Sequence, residues 1–186
     1  MSLILGILDS GGAAAAAAGD YNSISTVTVS TSVTSISFTS IPADYTHLQI
    51  RFIARSTYAG SGYGTIRFNS DTGSNYNAHY VYGNGSSANA SVMGQYTGID
   101  FLAVSQSGSN IFAAGVIDVL DYANTNKYKT VRSLVGGDNN STDGRIALNS
   151  GLWMSSSAIT GVTIISGSGN TFEQYSQFAL YGIKGA

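Results

Sequence analysis

Two histidines, His47 and His79, are the side chains of this sequence best suited to act as a general base near neutral pH. A serine nucleophile would need one of them within hydrogen-bond distance, and in many hydrolases it lies in a Gly-x-Ser-x-Gly turn. The chain contains no such sequence. The histidines therefore do not indicate a hydrolase, and we expect His79, in "NAHYVY", to face outward or to make a polar contact in a sheet.

Carboxylate pairs are the second group that could do chemistry, since glycoside hydrolysis uses two of them. Asp118 and Asp121 lie close together in "VIDVLDY", and Glu173 is the single glutamate of the chain. Residues three apart on a strand point to opposite faces, so the two aspartates would not flank one bond unless the strand ends at Asp121. We expect Asp118 to pair with an arginine or a backbone amide, and Asp121 to cap a turn.

The segment "DNNSTDG", Asp138 to Gly144, resembles a calcium-binding loop in composition. The EF-hand pattern requires a glycine at position six and a glutamate at position twelve, where this chain has Asp143 and Asn149. The pattern is therefore not met, and a plain Asn/Asp turn is the favoured interpretation. A calcium site of another kind, made by Asp138, Asn140 and Asp143, is the alternative.

The segment "GSGYG", Gly60 to Gly64, is the part of the chain most similar to a phosphate-binding loop. A Walker-type loop ends in Lys-Ser or Lys-Thr and opens a helix, and this segment lacks both features. We interpret it as a turn. The sequence predicts no cofactor and no metal site.

Tyrosines are the best candidates for recognition, and the chain has twelve of them. Tyr58, Tyr63 and Tyr82 lie among glycine, asparagine and serine, a setting typical of surfaces that contact sugars or proteins. Packing in the core or at a sheet edge would explain the same residues. We therefore treat these three tyrosines as candidates for contact with a glycan or a partner protein.

The N-terminus combines an apolar tip with a small-residue stalk. The stalk contains six alanines, Ala13 to Ala18. No lysine or arginine precedes Arg51, which argues against a signal peptide, and the tip is much shorter than the roughly 20 residues of a transmembrane helix. We expect the tip to anchor the chain in a neighbouring subunit, with packing against its own body as the alternative. The apolar tip consists of Leu3, Ile4, Leu5, Ile7 and Leu8.

Composition predicts an all-β protein that is covered by partners. Charged residues make up only 10% of the chain, against roughly 25% in average soluble domains. Valine, isoleucine, threonine and tyrosine favour strands, and glycine, serine and asparagine favour turns. The net charge of −2 argues against nucleic-acid binding, and the absence of cysteine excludes disulfides and thiolate metal sites.

Runs of strand-forming residues separated by turns extend over the whole body of the chain. "THLQIRFIARS" alternates well except at Ile53, whereas "IFAAGVIDVLDY" is nearly continuously apolar, as in a strand covered on both faces. Turns about every 10–15 residues predict an antiparallel two-sheet sandwich, jelly-roll-like, with an extended N-terminal arm. The predicted division is an arm, residues 1–21, and a sandwich body, residues 22–186.

Several segments of the body together resemble virion proteins of tailed bacteriophages, particularly phages of aquatic bacteria. The resemblance extends from about Tyr45 to Lys184, and it is most specific in "DYANTNKYKTVRS" and "QFALYGIK". It implies a structural or fibre-like virion component and brings no catalytic residues. The segments that carry it are "HLQIRFIARS", "FNSDTGSNY", "VIDVLDYANTNKYKTVRS", "SGLWMSSSAIT" and "FEQYSQFALYGIKGA".

These observations lead to one expected function and two alternatives. The first is a non-enzymatic decoration (cement) protein on the outer surface of a phage capsid. Its partners would be the major capsid protein and copies of itself, as a trimer, with no membrane or nucleic-acid contact. The second is a short tail fibre or receptor-binding adhesin that contacts host glycans. The third, an enzyme that depolymerises host glycans, is disfavoured by the lack of a convincing acid pair.

Overall fold

The computed structural model describes residues 19–58, 61–105, 110–138 and 144–185. These residues form twelve β-strands and one short 3-10 helix, Gly167–Gly169, which confirms the all-β prediction. The strands are β1 (Tyr21–Thr28), β2 (Ser35–Phe38), β3 (His47–Ala54), β4 (Ser61–Phe68), β5 (Tyr76–Gly83), β6 (Ala88–Tyr96), β7 (Ile99–Ser105), β8 (Ala113–Leu120), β9 (Lys129–Gly137), β10 (Arg145–Trp153), β11 (Val162–Ser166) and β12 (Gln177–Ile183).

The strands form two antiparallel sheets that pack as a sandwich, as predicted. The larger sheet has eight strands in the order β1-β12-β3-β8-β9-β10-β5-β6, and the smaller has four in the order β2-β11-β4-β7. The unequal widths matter for function, because four strands cannot cover one whole face of an eight-stranded sheet.

Alternation of side chains fixes which face of β3 points inward. Leu48, Ile50 and Phe52 are at most 5% exposed and enter the core. The intervening positions face away from the smaller sheet, and Ile53 among them is 47% exposed, as its break in the polar pattern predicted. A period of two in hydrophobicity is the expected signal of a sheet that buries one face.

Aromatic rings fill the space between the two sheets. The ring centroids of Phe52 and Phe101 are 5.3 Å apart, which joins the larger sheet to β7 of the smaller one. Phe178 lies 5.6 Å from Phe52 and 4.9 Å from Phe172. Such pairs contribute about 0.5–1.5 kcal/mol each beyond the area that they bury.

A second aromatic cluster closes the sandwich near the β4–β5 turn. Tyr76 and Trp153 stack with centroids 6.2 Å apart, and the indole N–H of Trp153 donates to Asp71 Oδ2 at 2.8 Å. This hydrogen bond, with others from Asn75 and the Gly73 amide, holds the pKa of Asp71 below its usual value. The turn is thus tied to β5 and β10 by polar contacts around an apolar stack.

Lys129 is a buried cation at the start of β9. Its side chain is fully buried, and its Nζ donates to the carbonyl oxygens of Asn124, Lys127 and Ser156 at 2.6, 3.0 and 3.2 Å. Burial lowers the pKa of Lys129, and the nearby Lys127 charge adds to that effect. The three carbonyls supply one partner for each ammonium proton, which ties the β8–β9 loop to the segment after β10.

The apolar run at β8 differs from its prediction. Ile117 and Val119 are buried against the core, but Ala114 is exposed and Val116 only half-buried on the other side. The smaller sheet lies on one face of β8, and no described residue covers the other. The strand is therefore apolar on both faces while only one is packed.

The described chain begins beside the C-terminal strand. β1 starts at Tyr21, which pairs with Ile183, and the Lys184 amide donates to the Asp20 carbonyl at 2.9 Å. The predicted arm precedes this point, and its residues 1–18 lie outside the described residues. Within the described part of the chain, no helix is long enough to cross a membrane.

Candidate functional site

The face of the eight-stranded sheet that points away from the smaller sheet is the candidate site, and we call it the outward face. Large apolar side chains protrude from it, although outward positions of an antiparallel sheet are usually polar. They are 49–60% exposed. We call five of them the apolar patch: Val81, Val92, Leu134, Ile146 and Leu148.

Strand register brings the apolar patch together. Leu148 on β10 pairs with Leu134 on β9 and with Val81 on β5. The same row continues to Val116 on β8, which pairs with Leu134, and to Ala90 on β6, which pairs with Val81. One apolar row thus crosses five neighbouring strands, over about 19 Å at the usual spacing between strands.

Small residues beside this row form shallow depressions. One depression, of about 710 Å³, is lined in part by Ala114, Gly136, Val116 and Leu134. Another, of about 820 Å³, shares Ala114 and Gly136 and extends towards Arg145. Both are open grooves on the outward face, so they add concave apolar surface to the apolar patch.

The interior side of β9 and β10 has the opposite polarity. Asn149 and Ser133 are paired in register and buried, at 2% and 4% exposed, and the Asn149 amide donates to Ser133 Oγ at 2.8 Å. The Oδ1 atom of Asn149 has no hydrogen-bond partner among the described residues. Directly beside this pair, Leu134 and Leu148 point outward. A polar pair inside and a leucine pair outside invert the usual pattern of a solvated sheet.

The other half of the outward face is polar and internally hydrogen-bonded. We call the following five residues the polar network: Tyr21, Gln49, Arg51, Asp118 and Arg132. Asp118 accepts hydrogen bonds from Gln49 Nε2 at 2.8 Å and from Arg132 Nε at 2.9 Å. Gln49 Oε1 in turn accepts from Tyr21 Oη and Arg51 Nε, each at 2.9 Å. The prediction that Asp118 pairs with an arginine is therefore confirmed.

Aromatic rings support the polar network at the sheet edge. The Tyr21 and Tyr181 rings stack with centroids 4.8 Å apart, and the Arg51 guanidinium lies 5.2 Å from the Tyr21 centroid. Partial burial raises the pKa of the Tyr21 hydroxyl, an effect that the Arg51 charge opposes. These contacts occupy the donors and acceptors of this half of the face with one another.

Neither histidine is placed for nucleophilic catalysis. His47 Nδ1 accepts a hydrogen bond from the Asp121 amide at 3.0 Å, so it is already occupied by the backbone. His79 is exposed on the outward face, as predicted, and pairs in register with Ser150 and Val92. In the described part of the chain, neither imidazole hydrogen-bonds a serine or threonine hydroxyl.

Asp121 lies in the turn that follows β8, apart from Asp118 on the strand. Its φ of 48° and the hydrogen bond from the Asn124 amide to its carbonyl, at 3.0 Å, mark this turn. An ion pair with Lys127 holds the pKa of Asp121 below its usual value. Both carboxylates thus have structural partners.

The three candidate tyrosines lie in two places. Tyr58 and Tyr63 are neighbours, with ring centroids 6.5 Å apart. Tyr82 lies on β5 of the other sheet, beside Tyr80 at 6.1 Å, with the Arg145 guanidinium 4.9 Å from its ring centroid. Tyr82 is therefore separate from the Tyr58–Tyr63 pair, and the three tyrosines do not form one cluster.

Other sequence candidates lie outside the described residues. They include the whole apolar tip, Leu3, Ile4, Leu5, Ile7 and Leu8, and two of the residues of the alternative calcium site, Asn140 and Asp143. Among the residues that the structure describes, no cluster of three histidine or acidic side chains could hold a metal ion.

The sequence does not predict the apolar patch, because the pattern of a single strand carries no information about its neighbours in the sheet. "RIALNSGLWM" shows alternation, but alternation does not say which of its two faces is inside. The sequence carries no signal for the orientation of Ile146 and Leu148, because small residues such as Ala147 and Gly151 at the alternate positions fit either face. Comparison with family models, with curated proteins and with solved structures gives no match for this chain.

Proposed function

We propose that this chain is a non-enzymatic structural subunit of a bacteriophage virion, a decoration protein held on the outer surface of the capsid. The observation that carries the proposal is the apolar patch. Exposed apolar surface that extends over several strands is typical of a contact between proteins. The resemblance of the segments between Tyr45 and Lys184 to phage virion proteins is the reason for proposing a virion as the assembly.

The polarity of β9 and β10 supports an assembly role. A solvated outward face would favour Ser133 and Asn149 outside and Leu134 and Leu148 inside. The chain has the reverse arrangement. Leucines in these positions are best explained by a partner that covers the outward face, because covering them removes apolar surface from water at about 25 cal/mol per Å².

The apolar tip is the proposed second point of attachment. Its five large side chains, Leu3, Ile4, Leu5, Ile7 and Leu8, could each contribute about 1.5–3 kcal/mol if buried in a neighbour. The proposed neighbours are the major capsid protein and other copies of this chain. We still predict that the copies form a trimer. Weak contacts repeated over many copies would add up to firm attachment.

Rebinding to capsids tests this proposal. Capsids of the phage that encodes the chain, prepared without it, are mixed with the full chain or with a variant that lacks residues 1–12. We expect the full chain to sediment with the capsids and the shortened chain, still folded by circular dichroism, to stay in solution. Failure of the full chain to bind would contradict the proposal, and full binding by the shortened chain would contradict the anchoring role of the tip.

A short tail fibre or receptor-binding adhesin is the second candidate, and the Tyr58–Tyr63 pair favours it. Two neighbouring, partly buried rings can stack on a sugar at low entropic cost. Binding of the chain to host polysaccharide on a glycan array, lost in Tyr58→Ala and Tyr63→Ala, would support this role. Glycan binding that is kept in Tyr58→Ala would argue against the pair as the contact.

A further inference from the structure

Strand β6 is a free edge of the eight-stranded sheet. It is the last strand in the order of that sheet, and among the described residues it pairs only with β5. From Ala88 to Val92 the pairing with β5 is regular, residue for residue, and the register shifts only near Tyr76 and Ala78. Every residue of β6 except Met93 is exposed. Its outer side therefore presents a regular row of backbone donors and acceptors.

Residues Ala88 to Met93 of β6 lack the usual protections of a free edge, and the bulge of this strand lies beyond them, near Gly94 and Gln95. Natural edge strands are blunted by charged side chains, proline, short length or bulges. β6 reads "ANASVMGQY", nine residues with no charge and no proline. At the opposite end of the sheet, β1 carries a bulge in mid-strand, where the register shifts between Ser23 and Ser25. Of these two edges, β6 has the longer regular stretch, six residues from Ala88 to Met93 against four from Ser25 to Thr28 on β1.

The alternation along β6 fits an identical strand. Ala88, Ala90 and Val92 lie on the outward face, and Asn89 and Ser91 lie on the other face. An antiparallel copy centred on Ala90 or Ser91 would place Val92 opposite Ala88 or Ala90. Apolar residues then meet apolar residues on one face, and polar residues meet polar residues on the other, which is the favourable arrangement of cross-strand pairs.

Symmetry adds a consequence for the outward face. Two identical antiparallel edge strands are related by a twofold axis normal to the sheet, an isologous contact. This axis leaves the outward faces of both copies on the same side. The apolar row that reaches Ala90 through Val81 would continue into the row of the second copy.

We propose that β6 pairs with β6 of a second copy of this chain, antiparallel, to form one continuous sixteen-stranded sheet from the eight strands of each copy. The contact is a property of the chain alone and needs no virion. It goes beyond the proposed attachment to a capsid, because it links two copies and presents their apolar patches as one surface, and as a twofold contact it is distinct from the contact of the proposed trimer.

Charge placed on the edge tests the pairing. The full chain and its variants are examined by analytical ultracentrifugation over a range of concentrations. Ala90→Lys puts like charges beside the twofold axis and should raise the dimer dissociation constant about tenfold or more. Thr26→Lys is the matched control, since Thr26 is exposed on β1 at the other edge of the same sheet, and it should leave the constant unchanged.

Cross-linking gives a second, independent measurement. The chain has no cysteine, so single substitutions report one position at a time. Oxidation of Ala90→Cys or Ser91→Cys should give a disulfide-linked dimer, and Thr26→Cys should give none. A wild-type chain that is monomeric at every concentration would overturn the proposal. So would a dimer that Leu148→Lys dissociates and Ala90→Lys does not, because that result would mean contact through the faces.

Discussion

The two halves of the outward face are both exposed, but they differ in whether their side chains have partners within the chain. In the polar network, Asp118, Gln49 and Arg132 satisfy one another through hydrogen bonds of 2.8–2.9 Å. In the apolar patch, Leu134 and Leu148 are 49% and 53% exposed, with no described residue over them. The polar side chains of the first half are hydrogen-bonded to one another within a single chain. The second half resembles the exposed side of an interior layer, and this is the basis of the proposed contact with a partner.

The boundary between the two halves runs across strands that are shared by both. On β9, Arg132 belongs to the polar network and Leu134, two residues further on the same face, belongs to the apolar patch. The sheet itself is continuous there, so backbone pairing does not explain the difference. The side chains alone divide the face, and substitutions can therefore test each half without disturbing the other.

The largest expected effect comes from a charge at the centre of the apolar patch. Leu148→Lys should weaken capsid binding about a hundredfold, because a buried, unpaired ammonium costs several kcal/mol. The free energy of unfolding should change by less than about 0.5 kcal/mol, since the position is half-exposed in the single chain. Ser37→Lys, on the exposed side of β2, is the control. Equal binding by Leu148→Lys and wild type would remove the apolar patch from the interface.

The next-largest effect is expected at Tyr76, which lies in the interior on β5, a strand that also carries part of the apolar patch. Burial raises the pKa of Tyr76 to about 12, from 10.0. Because the folded state holds this proton more tightly, the corresponding stability is present below pH 10 and is lost as pH rises towards 12. The loss should be on the order of 2 kcal/mol by urea unfolding across this range. Tyr76→Phe should reduce this pH dependence, since Tyr21 and Tyr122 also have raised pKa values, and should leave capsid binding at neutral pH unchanged; an unaltered pH profile would contradict the assignment.

A smaller effect is expected in the polar network. Asp118→Asn keeps the shape of the side chain but replaces one carboxylate oxygen by an amide donor, which then faces the donor of either Arg132 or Gln49. The free energy of unfolding should fall by about 1 kcal/mol, because Arg132 is largely exposed and solvent replaces part of the contact. Capsid binding should stay within about twofold of wild type. If binding is lost while stability is kept, the polar half also belongs to the interface.

The smallest effect is expected at Ile53, an exposed apolar residue separate from the apolar patch. It pairs with Gln177 and Ala114, two strands away from Leu134. Ile53→Thr should change the free energy of unfolding by less than about 0.5 kcal/mol and leave binding unaltered. A clear loss of binding would extend the contact surface across β3.

Much of the fold could be predicted from local pattern. Alternation in β3 correctly separated Leu48, Ile50 and Phe52 from Gln49 and Arg51. Composition correctly predicted the all-β class, and the spacing of turns correctly predicted a sandwich. The unequal division into eight and four strands could not be derived, because sheet membership depends on pairing between strands distant in sequence.

The candidate site was less accessible to sequence reasoning. The apolar run of β8 was expected to be covered on both faces, and the structure covers one. On β10 the alternation was visible, but its inside and outside were not, because Trp153 and its stack with Tyr76 set the orientation and Asn149 follows it inward. A one-residue shift would exchange the two faces, so only the tertiary partners decide.

The most direct test of the central claim is a density map of the phage virion that we propose carries this chain. We expect the chain to lie on the outer capsid surface, with Leu134 and Leu148 buried against another polypeptide. A map in which the apolar patch faces solvent in every copy, or in which the chain is missing from the particle, would contradict it.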